Sequence, residues 1–267
     1  MNSMIEWLAD ICQQFRLNEK WLIAQDLRTP QQWKDRVALS GTSAIHLHSK
    51  TIRAIAMSLS SDGLAKTGQK FANSSTSRLI LQNIISTFLR DGQLEYFVDV
   101  KILDSLSSLI WKSIQDLQLA GVSSDDLDIA AFDSPDKGRD IRRLFAAYRE
   151  TLAELKLVDY SDCLRIATDG IANSSIALPA DLIVMIPESL DLPSCERALL
   201  DAIRTKAKVL TPDLLEAYDE AGLHRRIAKL SGSQSIQYFS GFGEVNEVRG
   251  VCRRILNVAN VNASRLD

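Results

Sequence analysis

The stretch Asp181-Leu182-Ile183-Val184-Met185-Ile186 constrains the fold of this chain more than any other. After its leading aspartate every residue is apolar, with no polar residue at alternate positions. A strand with one wet face alternates, whereas an unbroken apolar strand is covered on both faces, as in the middle of a parallel sheet. A parallel sheet needs crossover helices on its faces, so the rest of the chain must supply strands alternating with helices.

Both ends of the sequence do so. Ile5, Leu8, Ile11, Cys12 and Phe15 recur at helical spacing, Asn18 ends that helix, and Lys20-Trp21-Leu22-Ile23-Ala24 follows as a short buried strand. A second helix starts at Thr29-Pro30, with Thr29 as N-cap, Pro30 at the first helical position, and Trp33, Val37 and Ala38 on its inner face. Gly41 closes it; residues 44–48 read as a second strand, 51–59 as a helix and 60–68 as a polar break. After the apolar strand come a helix over 192–205, a strand over 207–210, a helix over 214–230, a strand over 236–239 and a helix over 243–258. Between the two ends the pattern is purely helical. Leu79, Ile80, Ile84 and Phe88 form one stripe, Ile102 to Leu117 carries a second, and Ile141, Leu144, Phe145, Tyr148, Leu152 and Leu155 a third. Residues 134–138 read as a turn and 159–172 as a fourth helix. The expected architecture is therefore α/β, a parallel sheet flanked by helices, with a large all-α insertion. Residues 1–70 and 173–232 would build the sheet domain, 71–172 the inserted helical subdomain, and 233–267 a closing βα unit or the start of a second domain.

The net charge of −3 means that any contact with nucleic acid must come from a local basic patch. Aromatic residues are only 6%, which leaves few platforms for stacking bases. Cys12, Cys163, Cys195 and Cys252 form no C-x-x-C pair, so they read as buried free thiols rather than a zinc or redox site. The first ten residues lack signal-peptide character and no apolar run reaches membrane-spanning length, which points to a cytoplasmic protein. His46 and His48 would share one face of a strand, but His224 stands alone and no third ligand is near, so no metal is expected. Asp159 and Asp162 read as capping, solvent-facing groups. Arg139, Arg142, Arg143 and Arg149, interleaved with Asp140 and Glu150, read as a solvated helix face.

Four strings carry a family resemblance. KWLIAQDLRTPQQWKDRV (Lys20 to Val37) is similar to the second strand and following motif of superfamily 1 helicases, and Thr51-Ile52-Arg53-Ala54-Ile55-Ala56 to their Thr-Phe-His-Ser-Leu-Ala type string. Leu157-Val158-Asp159-Tyr160-Ser161-Asp162-Cys163-Leu164 resembles the signature near the end of the inserted domain, and FSGFGEVNEVRGVCRRIL (Phe239 to Leu256) the opening of the second helicase domain. In order and spacing the chain resembles AddB-type subunits of bacterial helicase–nucleases, and related proteins with a C-terminal PD-(D/E)XK nuclease domain. The resemblance covers nearly the whole chain. It implies a RecA-like (P-loop-NTPase-like) sheet and a setting in double-strand break processing and recombinational repair. Family members continue well beyond this length, so it also implies that the chain is a fragment, with the nuclease elsewhere.

ATP hydrolysis by such a fold needs a Gly-rich loop followed by Lys and Ser/Thr, and no G-x-x-x-x-G-K-[ST] string occurs. By the resemblance, the first strand and that loop are absent, and the magnesium-binding Asp-Glu pair is degenerate: Pro187 stands at the Asp position, followed by Glu188 and Asp191. No catalytic residue and no cofactor is expected in this segment. The resemblance places DNA contacts in the loops after the second and third strands, which here offer Arg28, Thr29, Lys34, Lys50, Thr51 and Arg53. Lysine and arginine attract phosphate, and a threonine hydroxyl or helix N-terminal N–H fixes register. The expected function is a non-catalytic helicase-like module that holds DNA. The alternatives are an interaction scaffold for a partner motor or nuclease subunit, and a nucleotide binder that does not hydrolyse.

Overall fold

The computed structural model describes residues 2–98, 103–187 and 190–212. Its centre is β5 (Ile183–Met185), buried on every residue and hydrogen-bonded on both sides. The neighbours are β1 (Lys20–Ile23) and β6 (Lys208–Leu210), and β2 (Leu47–Lys50) lies outside β1, giving the order β2-β1-β5-β6 with every pairing parallel. Trp21 lies opposite His48 on one side and Val184 on the other, which fixes the register.

Residue alternation along these strands sorts side chains into two cores. Leu22, Leu47, Ile183 and Met185 face α1 (Asn2–Gln14) and α2 (Arg28–Leu39), meeting Leu8, Ile11, Cys12 and Val37. Trp21, Ile23, Val184 and Ile186 face α3 (Ile52–Thr67), α7 (Tyr160–Ala172) and α8 (Ser194–Arg204), meeting Ile55, Leu164 and Leu199. Each fully buried leucine or isoleucine contributes roughly 1.5–3 kcal/mol. Lys20, buried without any exposure, lies among these strands. Its ammonium donates to the carbonyls of Phe15 (2.6 Å) and Asn18 (2.7 Å) beyond the end of α1, and burial lowers its pKa.

A third core belongs to α4 (Ser74–Arg90), α5 (Leu103–Leu119) and α6 (Pro135–Glu154), where Leu81, Ile85, Ile114, Leu144, Phe145 and Tyr148 pack together. The segment between the sheet halves is not purely helical. β3 (Lys70–Phe71) pairs in parallel with β4 (Leu157–Val158), bracketing the helical block, and α7 packs in the sheet's core rather than with α4 and α6. Residues 1–212 form one compact unit.

Several local expectations are corrected. The polar stretch 60–68 continues α3 to Thr67, because Ser61 and Asp62 lie on the outer face while Ser60 and Leu64 keep the buried spacing. Gly68, at φ +67°, ends that helix in the left-handed conformation glycine tolerates. Residues 134–138 open α6, with Ser134 before Pro135; a Cβ on Gly138 would lie 2.9 Å from Phe132, so the position needs glycine for space rather than for a turn. The second strand begins at Leu47, and His46 sits before it at φ +55°. α2 begins at Arg28, ahead of Thr29, because the Asp26 carboxylate accepts the N–H groups of Arg28 (2.7 Å) and Thr29 (3.2 Å) in the capping role assigned to Thr29. Trp33 and Val37 pack inward, but Ala38 is exposed. The elements expected over 214–230, 236–239 and 243–258 lie outside the described residues, as do Cys252, His224 and Glu188. No described helix is long and apolar enough to cross a membrane.

Candidate nucleic-acid interface

The chain leaves β1 for β2 in one direction and leaves β5 for β6 in the other, so the boundary between β1 and β5 is the topological switch point. Open parallel sheets bind ligands in the crevice outside the carboxyl ends of their strands at such a point. A cavity of about 400 Å³ lies there. Ala24 and Gln25 enter it from the end of β1, Thr51 and Arg53 from the start of α3, Asp191 from the segment after β5, and Glu196 from α8.

Thr51 is the N-cap of α3, its hydroxyl accepting the N–H of Ala54 at 3.2 Å. The next N–H groups, of Ile52 and Arg53, have no carbonyl to meet within the helix, and the helix dipole adds positive potential there. The Arg53 guanidinium lies 4.5 Å from the centre of the Tyr160 ring, a cation–π contact that holds it on the cavity wall. Tyr160 is fixed in turn, its hydroxyl donating to Glu196 at 2.7 Å. Burial, then the Glu196 carboxylate, pushes the Tyr160 phenol above its ordinary pKa, so it stays protonated and keeps that hydrogen bond. The α3 side of the crevice thus offers a cation, a hydroxyl and free N–H groups, while Asp191 and Glu196 make the opposite side acidic.

The other residues singled out in the sequence are more dispersed. The Lys50 ammonium lies 4.0 Å over the Trp21 ring, outside the cavity lining, and burial lowers its pKa against the opposing pull of Glu19. Arg28, Thr29 and Lys34 are on α2, which packs on the opposite face of the sheet, and none lines the cavity. Pro187 is buried just beyond β5, and Asp191 is exposed at the cavity rim. His48 is exposed on β2 apart from any partner ligand, and among the described residues no group of three His, Cys, Asp or Glu is placed to hold a metal ion. Tyr160 and Glu196 were not singled out as site residues. Tyr160 does sit inside the Leu157–Leu164 string, but nothing local in the sequence ties it to Arg53.

That string has a structural task. Asp159 and Asp162 form a reciprocal capping box on α7, each carboxylate accepting the other's backbone N–H at 3.2 Å. They are not solvent-facing, being 7% and 5% exposed. Arg149 on α6 donates to Asp162 at 2.8 and 3.0 Å and to Asp159 at 3.3 Å, and Gln118 on α5 donates to Asp159 at 2.9 Å. One carboxylate pair therefore joins α5, α6 and α7. Burial pushes the Asp162 carboxyl up, but the Arg149 hydrogen bonds and charge, with help from the Asp159 N–H and Arg165, outweigh it and leave the pKa below the usual value.

Two further arginines of α6, Arg139 and Arg143, are ion-paired while still 40% and 45% exposed. Arg139 and Arg143 pair with Glu95, and Arg139 also bonds Asp136. Asp140 is fully buried and accepts the N–H groups of Glu95, Tyr96 and Phe97 at 2.8–3.2 Å.

No protein-family model matches this chain, and a search of curated proteins finds no match either.

Proposed function

We propose that this chain is an ATPase-inactive, helicase-like module of the AddB type that holds the phosphate backbone of DNA for double-strand break processing. On this reading the sheet is RecA-like, Pro187 stands where a magnesium-binding Asp would, and residues 71–172 form the inserted subdomain, most of it α4, α5 and α6. The observation that carries it is the crevice at the carboxyl ends of a parallel sheet, where Thr51, Arg53 and the first turn of α3 lie together. Those are donors and a cation suited to a phosphodiester, on the loop to which the resemblance assigns the DNA strand. Arg28, Thr29, Lys34 and Lys50 would extend the contact around the same end of the sheet.

Fluorescence anisotropy with labelled single-stranded and duplex DNA tests it. With one to four cations engaged, affinity for single strands should fall by about 3- to 50-fold between 50 and 200 mM salt. Absence of binding at low salt would exclude the reading. Calorimetry with a non-hydrolysable ATP analogue and magnesium should give no binding heat, and a saturable heat would favour a nucleotide sensor instead.

A second reading, an interaction scaffold for a motor or nuclease partner, is favoured by the large apolar side chains that the helical block leaves exposed, Leu79 at 60% and Leu109 at 67%. Retention of a partner subunit by a chain that fails to bind DNA at low salt would establish it.

A further inference from the structure

Two adjoining depressions run between α4 and α6, with volumes of about 310 and 530 Å³. They share Phe88, Ala147 and Glu150, and so form one continuous trough. Ile84 and Phe88 on α4 give it an apolar wall, and Ala147 leaves room where a larger side chain would fill the space. Leu155, 56% exposed, closes one end. Along α6 the trough extends from Arg143 to Glu154, about 17 Å or three helical turns.

Its charge is one-sided. α4 contributes no charged side chain to the lining. Arg143 is already engaged by Glu95 and Asp140. Glu150 and Glu154, one turn apart on α6, are exposed and take part in no ion pair among the described residues. The trough therefore joins an apolar floor to an acidic flank with no basic partner of its own.

We propose that this trough docks an amphipathic helix of a partner protein, with apolar side chains at three- and four-residue spacing set against Ile84 and Phe88 and lysine or arginine facing Glu150 and Glu154. Both walls are helices and the length is three turns, so a third helix laid along them meets the geometry of helix-in-groove recognition. Nucleic acid does not fit, because its phosphates would face the two unpaired carboxylates while the lining cation, Arg143, is already ion-paired. A second copy packed symmetrically through this face would bring Glu150 and Glu154 towards their own counterparts, where like charges repel. The site is independent of the DNA reading and stands or falls separately.

The test uses the whole chain and a fluorescent synthetic helix of about 14 residues, with leucines at helical spacing and lysines beside them, against a twin carrying glutamates in place of the lysines. The lysine peptide should bind at least about tenfold more tightly than its twin, and the double variant Glu150→Lys/Glu154→Lys should reverse that order. Ala147→Trp, which fills the trough, should weaken binding about tenfold or more. Asn83→Arg, at an exposed position on the α4 wall, tests the same surface should the tryptophan variant fail to fold. Equal affinity for the two peptides, indifference to Asn83→Arg, or a dimer of the chain that the double variant dissolves would each overturn the proposal.

Discussion

Asp140 holds a whole loop in place with one side chain. Its carboxylate receives three successive backbone N–H groups while wholly removed from water, so replacing it with alanine leaves the buried N–H of Phe97 and the part-buried N–H groups of Glu95 and Tyr96 without that acceptor. With roughly 1–3 kcal/mol for the buried Phe97 donor and less for the two that water can reach, Asp140→Ala should lower stability by about 2 kcal/mol, read as a shift of the urea midpoint. A midpoint within experimental error of the parent would show that the loop does not need this anchor. Asp162 makes a pH-dependent contribution. Its folded pKa lies below the ordinary value, so its contribution is complete above the ordinary carboxylate range and is lost as pH falls through the folded pKa. Urea midpoints followed from pH 7 downward should decline in the acid range, and Asp162→Asn should flatten part of that decline while costing about 2 kcal/mol at neutral pH. The cap at Asp162 is legible in the sequence, but its burial and its pairing with Arg149 are not, and neither is the anchoring by Asp140. Asp140 sits among arginines, the pattern of a solvated face, Asp162 reads as an exposed cap, and only the three-dimensional arrangement brings Glu95 and Arg149 to them. The crevice was half legible for the same reason. Thr51 and Arg53 follow a strand and open a helix, a local signal, whereas Tyr160 and Glu196 reach them only through the packing of α3, α7 and α8.

At the scale of elements, the buried β5 was the most legible, because an apolar run flanked by turn residues admits few other structures. β3 and β4 were invisible; two-residue strands carry no periodicity and exist only because each finds the other. α3 runs past its expected end because spacing outweighs composition: Ser60, Ser61 and Asp62 have the composition of a loop, while Ile55, Leu59 and Leu64 keep the helical spacing. The two ends of α3 can be tested directly. Thr51→Ala should cost about 1 kcal/mol through loss of the cap, and Gly68→Ala about 1 kcal/mol because its left-handed backbone disfavours a Cβ. Thermal melts would show both as lowered midpoints. An unchanged melt for Gly68→Ala would mean that α3 ends elsewhere in solution.

At the scale of the molecule, a parallel sheet brings two loops and a helix N-terminus to one end and leaves the helical block to present other surfaces. The crevice lies at the first, the acidic trough on the second, and the Asp159–Asp162–Arg149 brace ties the helices between them. The central claim is that Arg53 at that crevice meets phosphate. Its most direct test is the salt dependence of single-stranded DNA affinity, plotted as log K against log salt for the parent chain and for Arg53→Ala. Loss of one phosphate contact should reduce the slope by about 0.7 and weaken binding at every salt concentration. Parallel lines of equal affinity would contradict the account, placing any DNA contact away from the end of the sheet where Arg53 lies.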